Sequence, residues 1–141
     1  MGFWDVSPFG NDSAADFAWE LDEATAEARI EMVGDALERA AGADDLGLFD
    51  APRAVAAAAL VAAQYPGGPS IPSTYGPSTP MPQFPGYLRR LAIEALDRVA
   101  APSSWLVEFW EEASEVAAWR RTITDLLKAL DPPQVEVLFD L

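Results

Sequence analysis

Apolar residues recur along most of this chain at the three- and four-residue spacing of a buried helix face. The first such run enters from Asn11-Asp12-Ser13, either of whose first two side chains can cap, and Ser13 to Asp16 resembles a capping box. It continues through Phe17, Ala18 and Leu21 to about Asp22, which predicts helix 1. Ala26, Ile30, Val33, Leu37 and Ala40 share one face of a second helix, predicted from about Glu23 to Ala41 and stopped at Gly42. Asp50-Ala51-Pro52 opens a third, with proline in the first turn where its missing N–H costs least. Its alanine run reaches about Gln64, small nearly all round, and implies close packing against several neighbours.

Residues 65–86 interrupt the helical pattern with seven of the twelve prolines and four glycines. Neither a helix nor a central strand survives that density. Tyr65, Ile71, Tyr75, Met81 and Phe84 are spaced through it as anchors, which a Gly/Ser linker would lack. The expectation is therefore a long ordered strap across the helices rather than an interdomain linker.

A fourth helix is predicted from about Tyr87 to Ala100, ended by Pro102. Ser103 or Ser104 then caps a last helical region reaching Leu130, with a break near Ser114 as an option. Its seam carries Trp105, Phe109, Trp110 and Trp119, spaced as core rather than as a ligand cage. Val135, Val137, Phe139 and Leu141 alternate with Glu136, Leu138 and Asp140 as one short extended segment. The expected architecture is one all-α domain of about five helices over residues 1–131, with a C-terminal tail at 132–141. That tail would dock on the body or pair with another chain.

Composition narrows the chemistry. The chain has 141 residues, half of them apolar, with five tryptophans, and is long enough to bury a real core. Cysteine and histidine are both absent, so thiol nucleophiles, thiolate or imidazole metal ligands and a Ser-His-Asp triad are excluded. No apolar run approaches the ~20 residues that span a bilayer, and no basic segment precedes an apolar one as in a signal peptide. The expected compartment is the cytoplasm.

Net charge is −14, unevenly spread: residues 1–64 carry thirteen acids against three arginines, residues 65–141 ten acids against six bases. Such a surface repels nucleic acid and anionic membranes and favours basic partners. On the second helix Glu23, Glu27, Glu31 and Glu38, with Asp35 beside them, form a strip next to the apolar face. A solvated helix face is the plain reading of such a strip. The functional one is a docking surface for a basic protein, on which complementary charge steers association.

Other constellations are weaker. With 23 acids, some carboxylate pair always lies close enough to imitate a glycosidase site. Asp44, Asp45 and Asp50 lack the alternating spacing of an EF-hand loop and read as a turn and a cap. Four Pro-x-x-Pro spacings in the strap have no basic residue between Pro66 and Gly86 to orient a docked polyproline helix. Arg89-Arg90 and Arg120-Arg121, the basic doublets, suit intramolecular pairing with the acidic surface.

The N-terminus carries more information than any of these. Gly2-x-Trp4 and then Pro8-Phe9-x-Asn11-Asp12-x-Ala14-x-Asp16 resemble the start of the bacterial domain-of-unknown-function 4259 family, whose members typically begin Met-Gly-x-Trp-Gly-x-Gly-Pro-Phe-x-Asn-Asp. The similarity continues at Ala56–Ala59, Pro66-Gly-Gly, Leu91-Ala92-x-Glu94-Ala95-Leu96 and Trp119-Arg120, over most of residues 1–130. Asp5 and Ser7 stand where that family has glycines. The resemblance implies no activity, cofactor or catalytic residue. Physically, Trp4 and Phe9 are expected to anchor the terminus, while Asn11, Asp12 and Ser13 serve the first helix as caps.

The sequence thus favours a non-catalytic module, immunity- or antitoxin-like, that docks a basic protein and needs no cofactor. The alternatives are a carboxylate- or metal-dependent enzyme with a site near the N-terminal loop, Asp5, Asp12 and Asp16 being its first candidates, and a structural or oligomeric subunit pairing through its C-terminal strand.

Overall fold

The computed structural model describes residues 2–42, 47, 49–71 and 75–132. Its described elements are all helical. Its helices run α1 Asp12–Asp22, α2 Ala26–Gly42, α3 Asp50–Ala62, α4 Tyr87–Val99, α5 Trp105–Glu112 and α6 Val116–Leu130. The predicted C-terminal extended segment, and Asp44 and Asp45 of the predicted turn, lie outside the described residues, Pro132 apart.

Helix α3 is the axis. Eleven of its thirteen residues are buried, most of them alanine, and α1, α2, α4 and α6 all pack against it. A cylinder clothed in methyl groups lets several neighbours approach at once, which a leucine-rich helix would hold apart. Helices α2, α3 and α4 form the most extensively packed trio, and α5 lies on α6. Larger side chains fill the spaces around α3: Phe17 and Leu21 from α1, Leu37 from α2, Leu88 and Leu96 from α4, Trp119 and Leu126 from α6.

Among the described residues six helices stand where about five were expected, because the last helical region divides at Ser114. Glu115 N–H donates to the carbonyl of Trp110 at 3.0 Å, and Ser114 N–H to that of Glu111 at 3.0 Å. This pair of bonds is a Schellman motif, which places its penultimate residue in the left-handed region. Ser114 has φ 62° and so occupies a position that glycine usually takes. Helix α2 begins at Ala26, the first residue of its apolar pattern, rather than near Glu23 as predicted. Thr25 Oγ1 accepts from Ala28 N–H at 3.2 Å and starts the helix at Ala26, while Glu23 closes α1 through its backbone N–H.

The strap returns to the helices through paired polar contacts. Asp22 accepts from the N–H groups of Ser78 and Thr79, both at 2.9 Å. The Gln64 amide, just past α3, donates to the Pro82 carbonyl at 2.8 Å and accepts from Phe84 N–H at 3.0 Å. Arg29 joins the carbonyls of Leu21 (2.8 Å) and Pro80 (3.4 Å). Phe84 is buried, and Tyr65, Ile71 and Met81 pack against the core. At the strap's start, a Cβ on Gly68 would lie 1.9 Å from the Ala62 carbonyl oxygen. Only glycine lets the chain turn that tightly off α3.

Partial burial pushes the Asp22 carboxyl up. The Ser78 and Thr79 amides, the Thr79 side chain and the Arg29 guanidinium together outweigh it and hold the group below its ordinary value. A carboxyl with a depressed folded pKa contributes stability that is complete above the unfolded value of ~3.9 and lost as pH falls through the folded value. In an NMR titration, the Ser78 and Thr79 amide shifts should therefore move together with a midpoint below ~3.9; a midpoint at or above that value contradicts the assignment. Separately, Ser114→Gly should raise stability by about 0.5–1 kcal/mol in urea unfolding, because it relieves a left-handed serine. A loss of stability would show that the Ser114 side chain contributes more than the strain costs.

Candidate functional site

The N-terminal residues close into a small loop seated on the first helix. Phe3 and Asn11 form an isolated antiparallel bridge, and Trp4 N–H donates to the Gly10 carbonyl at 2.7 Å. Gly2 and Asp12 clasp each other: Asp12 N–H donates to the Gly2 carbonyl at 2.9 Å, and Gly2 N–H to the Asp12 carboxylate at 3.1 Å. Asn11, only 4% exposed, is the N-cap of α1, its Oδ1 accepting from Ala14 N–H at 2.8 Å. Its amide donates to the carbonyl of Pro8 at 3.5 Å, so one side chain ties loop to helix.

The two positions that depart from the family's glycines interact with each other. Asp5 Oδ1 accepts from Ser7 N–H at 2.9 Å and from the Ser7 hydroxyl. The carboxylate lies across Gly10, where a Cβ would sit 1.9 Å from Asp5 Oδ1. Where glycine would leave the loop free, this chain holds its turn with a side-chain bond.

Phe9 is buried as an anchor, but Trp4 is not. It is 48% exposed and stacks on Tyr75 of the strap with ring centroids 4.6 Å apart. The inward aromatic is Phe3, whose ring lies 4.7 Å from Phe109 and 5.4 Å from Trp110. Alternation explains the exchange, because Phe3 belongs to the bridge and its neighbour Trp4 faces the other way. An aromatic pair at adjacent positions does not reveal in sequence which member turns inward.

Beside this loop, α1, α2 and the start of α3 enclose an open groove of about 670 Å³. Asp12, Asp16 and Glu20 line it from α1, Asp35 and Arg39 from α2, and Asp50 and Arg53 from α3. Five carboxylates thus face two guanidiniums. Arg53 is already engaged, 3.0 Å from Glu20 and stacked 5.3 Å from the centroid of the Phe17 ring. Phe49 and Met32 add apolar surface, and Phe49 is 57% exposed. Ser13 also lines the groove; it is only 6% exposed, and its hydroxyl has no hydrogen-bond partner among the described residues.

The acidic strip is divided by the structure. Glu27, Glu31, Asp35 and Glu38 are exposed along α2, and none is ion-paired among the described residues. Glu23 precedes α2 and does not share its face. Asp35 enters the groove, whereas Glu38 borders a second depression of about 620 Å³ near Tyr87, Arg89 and Arg90. Of the basic doublets, Arg89 lies 4.0 Å from Asp131 and donates to the Leu130 carbonyl, while Arg120 donates to the Ala100 carbonyl at 3.5 Å.

Asp5, Asp12 and Asp16 are not brought together as a ligand set. Asp5 serves Ser7, Asp12 serves Gly2, and Asp16 opens into the groove. Among the described residues, no group of three Asp, Glu, His or Cys side chains is placed to hold a metal ion. The groove itself was not legible in sequence, because its walls come from three helices and each carboxylate alone reads as solvated surface.

The class is therefore an all-helical protein with an acidic groove beside its capped N-terminal loop. The family model described as "Domain of unknown function (DUF4259)" matches residues 2–122, and the chain belongs to that family. No curated protein and no solved structure matches it. No described helix is long and apolar enough to cross a membrane.

Loss of the Asn11 cap exposes how far the groove depends on it. Asn11→Ala should cost about 1–2 kcal/mol in urea unfolding, with Asn11→Ser recovering part of the loss through its own capping oxygen. Equal stability of Asn11→Ala and wild type would show that the clasp of Gly2 and Asp12 suffices.

Proposed function

We propose that this protein is a non-catalytic binding module that docks a basic protein on the acidic face formed by α1 and α2, in the manner of an immunity protein or antitoxin. The observation that carries the reading is the unpaired state of Glu27, Glu31, Asp35 and Glu38, four carboxylates along one exposed helix face, none of them in a salt bridge among the described residues. A face evolved only for solubility commonly interleaves opposite charges at three- and four-residue spacing, which also supports the helix. Here like charges stand at Glu27, Glu31, Asp35 and Glu38, with Arg39 the one opposite charge four residues on from a member of the strip, and their mutual repulsion disfavours the isolated helix. A partner bearing lysine or arginine would relieve it and associate rapidly at low salt.

The strip also meets the groove at Asp35, which shares its lining with Asp16 and Asp50. The absence of histidine and cysteine from the sequence leaves few nucleophile and general-base roles for a competing enzymatic reading.

Affinity capture from cells that make the protein naturally tests this reading, comparing wild type with the E27K/E31K/E38K variant. Wild type should retain a basic protein at low salt and release it at high salt, and the variant should not retain it. Retention of the same proteins by both would overturn the docking role.

A further inference from the structure

Helix α6 delivers the C-terminal segment to the second depression, the one of about 620 Å³ along α4. Arg89 holds the end of α6 there: it donates to the Leu130 carbonyl and lies 4.0 Å from Asp131, which itself lines the depression. Nine residues follow Pro132 in the sequence, Pro133 to Leu141. We propose that these nine residues fold back within the same chain and lie extended in this depression, with Val135, Val137 and Phe139 over Tyr87, Leu91 and Ile93 of α4.

Reach, spacing and uncovered surface support this occupant. From Tyr87 to Glu94 the helix rises about 11 Å, whereas nine extended residues reach about 30 Å. The segment is thus long enough to cover the depression from its rim at Asp131. Pro132-Pro133 stops α6 and biases the chain towards extended backbone. Alternate side chains of an extended segment stand about 6.7 Å apart, close to the rise of about 6 Å between Tyr87 and Leu91. Tyr87 is 64% exposed, and Leu91 and Ile93 are half-buried, so α4 presents apolar surface here that the core leaves open. A smaller apolar cleft of about 210 Å³ at Phe9, Ile71 and Leu126 begins a turn back from the end of α6 and is not on the path of the departing chain.

Charge opposes this docking. Glu38, Glu94 and Asp131 line the depression beside Arg89 and Arg90, and the segment adds Glu136 and Asp140. Apolar contact therefore carries it, and salt, by screening the repulsion, strengthens it. Docking of a basic protein on the acidic face responds to salt in the opposite sense, so the two are separable.

Because the chain has no cysteine, Asp140→Cys accepts a single nitroxide label. In isotopically labelled full-length protein the nitroxide should erase the NMR amide peaks of Tyr87, Arg90 and Leu91, and its reduction with ascorbate should restore them. High salt should leave that loss in place or deepen it. Adding Val137→Asp and Phe139→Asp to the same chain should bring the peaks back, and Tyr87→Ser should weaken the loss at Arg90 and Leu91. Full retention of the peaks would overturn the proposal. So would an unchanged loss in the Val137→Asp/Phe139→Asp chain, which would reflect only nearness to Pro132, or a loss centred on Phe9 and Ile71. Loss of the same peaks when nitroxide-bearing chains without isotope are mixed with isotope-labelled chains without nitroxide would also overturn it, and would assign the segment to a second copy.

Discussion

Close approach of helices to a backbone that carries almost no side chains underlies the rest of this structure. Helix α3 buries eleven of its thirteen residues, and seven of those are alanine. Alanine contributes little apolar area of its own, so α3 is stabilised by what its neighbours bring to it rather than by its own bulk. The large residues of α1, α2, α4 and α6 meet over it, and their fit depends on its slimness. Replacing one of its alanines with a larger residue would force several helices apart together.

That constraint propagates outward to the groove. Helix α1 packs on α3, with Arg53 of α3 over the Phe17 ring, and α1, α2 and the first turn of α3 together wall the groove. Asp12, Asp16 and Glu20 follow one another at four-residue spacing along one face of α1 and so line one wall. The N-terminal loop holds the helix start in place through Asn11 and the Gly2–Asp12 clasp. At the far end Asp22 receives the strap. A single eleven-residue helix is thus fixed at both ends by polar contacts and in the middle by packing. Such a rigid mount suits a surface that recognises charge, since preorganised carboxylates lose little entropy when a cation arrives.

The aromatic residues show how local pattern and tertiary context divide the work. Trp105, Phe109, Trp110 and Trp119 were legible as helix seam, and Trp110 and Trp119 are indeed buried. Trp110 nevertheless keeps its indole N–H without a hydrogen-bond partner, with the rings of Phe3 and Phe109 edge-on to it. Phe3 reaches this cluster from the far end of the chain, a contact that no helical periodicity announces.

Periodicity by itself determined that this chain is helical and roughly where its helices lie, because a buried face repeats every three to four residues whatever it packs against. Local sequence also narrowed the caps to Asn11 or Asp12 and to Ser103 or Ser104, of which the structure uses Asn11 and Ser104, since the capping oxygen and the amide it serves are near neighbours in sequence. The choice of Phe3 over Trp4 as the inward ring, the division of α5 from α6 at Ser114 and the displacement of Glu23 from the acidic strip were settled by tertiary structure. Each depends on a backbone angle or a distant neighbour rather than on spacing. The groove is the clearest case: its carboxylates come from residues up to 38 positions apart, Asp12 to Asp50, and only the packing of three helices around slender α3 gives them a common surface.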